Sequence, residues 1–300
     1  MTKISKAFWH YEGPTLLVGI AIYAGWFGLI LNHRVVPWPV VFIVGGVLTA
    51  WHNSLIHESV HNINTVPKWL KMALVMPPLG VWYPYTYYAR AHTIHHRDNN
   101  LTDPSLDPES YYLSKSQWVE LSAFTKSVLL INQTLAGRLL VGPLISFVRL
   151  IVGQAEKVAE GDGRTIKGLV VHILSVALLF WFVSAVAGMD WWMYIACFAY
   201  PGLALTLLRS FCEHGAAVDP AHRTAIVETG PFFSLLFLNN NLHVVHHQNP
   251  NMRWYDIPAY YREHRQELLK RNGGYVFKSY VEVMRKTLFS PAFSPVHPTA

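Results

Sequence analysis

Residues 14–57 read PTLLVGIAIYAGWFGLILNHRVVPWPVVFIVGGVLTAWHNSLIH, and Arg34 is the one Lys, Arg, Asp or Glu among them. A spanning helix needs about 20 apolar residues, so a stretch of this length can cross a bilayer twice. Its middle, with Asn32, His33, Arg34, Pro37 and Pro39, reads as a turn, which predicts spans over 14–31 and 40–56. Residues 169–208 repeat the pattern, with Asp190 as their one charge and a turn at Gly188, Met189 and Asp190. Trp191 and Trp192 at that turn are residues of the kind that settle at a membrane interface. Spans over 169–187 and 191–208 complete the expectation: an all-α integral membrane protein, four transmembrane helices in two hairpins.

The rest of the chain fits this frame. It is 52% hydrophobic and only 14% charged, against about a quarter charged in soluble domains. Lys3 and Lys6 precede the first span, Arg164 and Lys167 the third, and Arg209 follows the fourth, whereas the turns hold only Arg34 and Asp190. Positive residues stay inside, which places both termini and the segment between the hairpins in the cytoplasm. That segment mixes apolar and polar residues over 66–90 and 117–157 without reaching spanning purity, as interfacial amphipathic helices do. The polar start MTKISKAFWHYEG lacks the features of a cleavable signal, so the N-terminal segment is expected to remain in the mature protein. No repeat or linker breaks the chain, and a single domain over 1–300 is expected. The formal charge of +6 comes without a Lys/Arg run or recognition motif, which argues against nucleic acid. Cys197 and Cys212 are the only cysteines, too few for a disulfide framework or a Cys-rich metal site, so any metal is held by nitrogen and oxygen.

Three short runs carry the chemistry: HESVH at 57–61, HTIHH at 92–96 and HVVHH at 243–247. They hold eight of the sixteen histidines. At this histidine content about 0.04 matches to H-x-x-H-H arise by chance in the chain, and two are present. On a helix, positions i, i+3 and i+4 share a face, so each run can aim its imidazoles at one point. The charge-derived topology puts all three runs on the cytoplasmic side. Neutral imidazole suits iron, zinc, copper and nickel, and eight such ligands exceed what one ion takes, so two ions are expected, iron being favoured. HESVH also matches the zinc-protease pattern H-E-x-x-H with Glu58 as base, but that leaves the other clustered histidines without a role. A metal-storing or metal-sensing membrane protein without turnover is a further alternative.

The isolated His10, His33, His172, His222, His264 and His297 read as surface or packing residues. His52 lies about 140° around the helix from His57 and is left out of the site. His214, in LRSFCEH at 208–214, is different. From Trp192 a helix travels about 33 Å to reach it, roughly one hydrocarbon thickness, which brings it level with the boxes as a ninth ligand. Glu58, Asp98, Asp103, Asp107 and Glu213 stand near enough in sequence to orient ring nitrogens from behind.

With these runs the chain resembles the membrane fatty acid desaturase and hydroxylase superfamily, whose signature is three boxes of the forms H-x-x-x-H, H-x-x-H-H and H-x-x-H-H. The resemblance covers residues 40–260. HTIHHRDNNLTDPSLDPESYY at 92–112 and NNNLHVVHHQNPNMRWYDIP at 239–258 look like the bacterial fatty acid desaturase branch, which implies a bacterial inner membrane. The resemblance further implies a cytosolic di-iron cap, one more ligand at the His214 position, O2 as co-substrate and a fatty acyl lipid as substrate. The product is then a double bond or a hydroxyl group. The chain has no fused haem domain, iron–sulfur cysteines or dinucleotide fingerprint, so electrons are expected from an external ferredoxin or cytochrome with its reductase. Carotenoid ketolases share the three boxes and are the nearest enzymatic alternative.

Overall fold

The computed structural model describes residues 3–97 and 101–300 and is mostly helical. The chain divides into two compact units, Met1–Ala89 with Ser146–Thr206 and Arg90–Ile145 with Leu207–Ala300. Among the described residues, four helices are long and apolar enough to cross a membrane: Gly13–Leu31, Trp38–His61, Gly163–Val186 and Trp191–Glu213.

The first unit holds the first three of these and most of the fourth. Pro14 sits in the first turn of the first span, where its missing N–H leaves no bond unmade. The two expected turns meet, because Arg34 Nη2 donates to the Gly188 carbonyl at 3.1 Å. Gly188 has φ +68°, a conformation that favours glycine, and a Cβ there would lie 2.4 Å from that same nitrogen and push the guanidinium aside. The second and fourth spans approach closely through small residues. A Cβ added to Gly45 would come 2.7 Å from the Cys197 carbonyl oxygen, and one on Gly202 would come 2.4 Å from Thr49 Cβ. Pro201 has no N–H for the Cys197 carbonyl, and the turn before it, Ile195–Ala199, is widened to π geometry. Tyr194, fully buried, donates to the Leu79 carbonyl at 2.8 Å and accepts from Trp26 Nε1 at 3.1 Å.

Three span ends lie five residues or more from the sequence expectation. The second helix continues past 56 through box one to His61, the third begins at Gly163 rather than 169, and the fourth runs beyond 208 to Glu213. In each case polar residues occupy the helix end. Asp162 caps the third helix by accepting from Arg164 N, and Arg209 pairs with Glu213 one turn on in the fourth.

In the second unit, Lys115–Glu120, Ala123–Asn132 and Leu135–Leu140 are short helices opened by Ser114, Ser122 and Thr134, each accepting a backbone N–H three residues on. They leave Val119, Phe124, Ile131 and Leu140 exposed, as interfacial helices do. A parallel strand pair, Ile226–Val227 with Val276–Phe277, lies beside the box-three helix His243–Gln248. Val244 and Val245 of that helix join Ile226, Leu242, Ile257, Tyr261 and Leu268 in one apolar cluster. Anchoring the two valines turns His243, His246 and His247 to the remaining side.

Candidate metal centre

Box one ends the second span in the first unit. His57 and His61 stand one turn apart with ring centroids separated by 5.9 Å. Glu58 between them is buried, and its Oε1 accepts from Asn62 Nδ2 at 2.9 Å.

The second unit gathers box two, box three and His214. One nitrogen from each of His95, His214, His243 and His247 lies within 4.8 Å of the other three. His214 Nε2 is 3.1 Å from His95 Nε2 and 3.0 Å from His243 Nε2, and His247 Nε2 is 3.1 Å from His243 Nε2. What lies behind the rings fixes their tautomers. His95 Nδ1 faces Asp107 Oδ1 at 2.9 Å, His243 Nδ1 faces Asn240 Oδ1 at 2.9 Å, and His214 Nδ1 faces the Arg223 carbonyl at 3.3 Å. Each of those oxygens can only accept, so each Nδ1 carries the proton and each Nε2 presents a lone pair to the same small space.

Protons are a poor solution to that crowding. Burial drives His214 down to about 3, helped by the neighbouring His95 charge, and burial with the surrounding imidazoles holds His243 and His247 well below the ordinary histidine range. For His95 burial acts the same way, but Glu109, Asp107 and Glu213 outweigh it and raise this one group. One proton can bridge one pair of nitrogens and leaves the others opposed. A metal cation accepts all four lone pairs at once, so the donor set fits a nitrogen-ligated transition metal.

The same unit brings His92, His96 and His246 together. His96 Nε2 and His246 Nε2 are 2.9 Å apart, and the His92 ring lies 4.6 Å from that of His96 and 6.0 Å from that of His246. His96 also stacks on His247 at 4.3 Å, so the two sets adjoin. His92 Nδ1 donates to Glu109 Oε1 at 2.9 Å. Burial opposes the Glu109 carboxylate, but His92 and His95 more than compensate and keep its carboxyl well below the usual range.

The residues expected to orient the ligands fare differently. Asp107 binds His95 and is itself held by the backbone N–H groups of Thr102, at 2.8 Å, and Glu109, at 2.9 Å. Glu213 pairs with Arg209, accepts from Asn240 Nδ2 at 3.2 Å and stands 3.4 Å from His243 Nδ1. Asp103 Oδ1 accepts from Ser105 N, Ser105 Oγ and Leu106 N, so this oxygen closes its own Asp-Pro-Ser turn. Asp98 lies outside the described residues. Glu109 and Asn240 were missed. Glu109 carries no motif beyond lying two residues past Asp107, whereas Asn240 precedes His243 by three, a spacing that puts both on one side of a turn.

Among curated proteins no relative matches the chain. The model of the family described as fatty acid desaturase matches residues 32–279, an interval that contains all three boxes, His214 and every partner named above. Four membrane-length helices, buried imidazoles with converging lone pairs and this match agree, and the chain belongs to the fatty acid desaturase family of membrane oxidoreductases.

Proposed function

We propose that the chain binds two iron ions and uses O2 and external electrons to desaturate, or hydroxylate, a fatty acyl chain. The observation that carries this reading is the set of Nε2 atoms facing one another about 3 Å apart in the second unit, those of His95, His214 and His243 each fixed by an acceptor behind its ring. His95, His214, His243 and His247 hold one ion. His92, His96 and His246 belong to the other, and His57 and His61 are metal ligands by the pattern of the first box. When bound, the iron pair supplies O2 reduction and removal of a hydrogen atom from an unactivated C–H bond. The protein's part is to orient the imidazoles through Asp107, Glu109, Asn240 and the Arg223 carbonyl, and to keep bulk water from the buried ring set.

Electrons come from a ferredoxin- or cytochrome-type carrier with its reductase. The site faces the cytoplasm of a bacterial inner membrane, in keeping with the positive flanks of the spans, and the two compact units act as one functional domain. Metal analysis of protein made in iron-replete cells is expected to return about two irons per chain, and one or none overturns the proposal. Lipid profiling of an expressing host is expected to show new double bonds or hydroxyl groups in acyl chains. Unchanged acyl chains beside newly oxidised carotenoids would move the assignment to a ketolase.

A further inference from the structure

Helices that end through a left-handed residue place Gly there, or sometimes Asn, because other side chains crowd the backbone. The box-one helix ends differently. After Asn62, in extended conformation, comes Ile63 at φ +60°, a β-branched residue that is fully buried. Its N–H donates at 3.1 Å to Oε1 of Glu12, itself buried and left-handed at φ +56°. Two non-glycine residues in a disfavoured conformation, 51 positions apart and bonded to each other, persist only where surrounding contacts over-determine them.

Those contacts surround box one. Lys71 Nζ donates to the Asn62 carbonyl at 2.8 Å and to Asn64 Oδ1 at 3.1 Å, and the nearby Glu12 favours its charge against the cost of burial. Asn64 Nδ2 donates to the His61 carbonyl at 3.1 Å, and Asn62 Nδ2 to Glu58 at 2.9 Å. Each bond runs from the turn after the helix either to Glu12 and Lys71 or back into the HESVH turn itself.

We propose that Glu12 is a positioning residue for box one: by holding Ile63 in its left-handed conformation it fixes the last helical turn and with it the aim of His57 and His61. The assignment rests on the reading of box one as metal ligands. It lies outside the three boxes and their nearest partners, in a segment that composition alone marks only as the polar start of the first span.

The test is a cobalt titration of the metal-free full chain in detergent, followed by visible absorption. Wild-type protein is expected to take up two ions in resolvable steps. Glu12→Ala is expected to weaken one step about tenfold and leave the other unchanged, the scale seen when a ligand's supporting partner is lost. Glu12→Gln, which keeps the acceptor oxygen, should restore that step, and adding Ile63→Gly to Glu12→Ala should recover part of it, because glycine takes the left-handed conformation without help. Unchanged steps in Glu12→Ala, equal weakening of both steps, or a Gln variant no better than Ala would each overturn the assignment. If Glu12→Ala does not fold, Glu12→Asp, whose shorter carboxylate withdraws from the Ile63 N–H, decides by the same criterion. Wild-type protein that takes up no cobalt overturns the metal centre and this role with it, whereas two wild-type ions with unaffected variants overturn this role only.

Discussion

The third and fourth spans are of nearly equal length and opposite character. Gly163–Val186 is the most apolar of the four, and only 11% of its apolar window is buried, whereas Trp191–Glu213 is less apolar and 56% buried. The third exposes Ile173, Leu174, Leu178 and Trp181. The fourth packs Gly202 on Thr49, receives a hydrogen bond from Asn53 on Thr206 at 3.0 Å, carries the Arg209–Glu213 pair and ends beside His214. In a bilayer, apolarity gives helices no reason to associate, because lipid satisfies a leucine as well as another helix does. The greasiest segment is therefore the one with least to do, and a dilution of hydropathy marks the helix that faces protein and chemistry.

That contrast predicts a descending series of effects. At the end of the fourth span, His214→Ala removes one of four converging nitrogens and should abolish turnover and lower metal content by about one ion per chain. His222→Ala, on an exposed ring eight residues on, should change neither, and normal metal with near-normal turnover in His214→Ala would break the ligand assignment. One turn earlier, Arg209→Leu strands the Glu213 carboxylate in the interior. A loss of about 3 kcal/mol is expected, read as a lower unfolding temperature in detergent. Gly202→Val forces atoms into Thr49 and the Ala50 backbone and should cost about 1–3 kcal/mol by the same measurement. At the other extreme, Leu174→Ala on the third span should shift stability by less than about 0.5 kcal/mol. A loss there as large as that of Gly202→Val would mean that the third span is packed against protein after all.

The spans were legible because runs almost free of charge are rare and bilayer thickness fixes their length. Their ends were less so, since a charge was read as a stop. Arg209 and Glu213 do not end the fourth helix because each satisfies the other one turn away, and HESVH continues the second with Glu58 bonded to Asn62 in the turn that follows. The boxes were legible from spacing alone. Their supporting residues were legible only where proximity in sequence matched proximity in space: Asp107 reaches His95 at 2.9 Å, but Asp103, four residues earlier, closes its own turn. Asn240 had a readable signal in its three-residue spacing from His243, but Glu109 reaches His92 across 17 residues that no composition or period pairs, and the same holds for Glu12, whose partner Ile63 lies 51 residues away.

The opposed lone pairs of the second unit have a consequence for the life of the chain in the cell. With the proposed ion bound, the four nitrogens share one cation that the unfolded chain does not gather, so metal binding and folding are expected to be one equilibrium. An ion present at a thousand times its dissociation constant adds about 4 kcal/mol to a fold that binds it, an amount comparable to the whole margin of many domains. Protein synthesised during metal starvation is therefore expected to be less stable and cleared faster. Abundance of the enzyme is then expected to follow metal supply, falling when the expressing host is grown with a chelator.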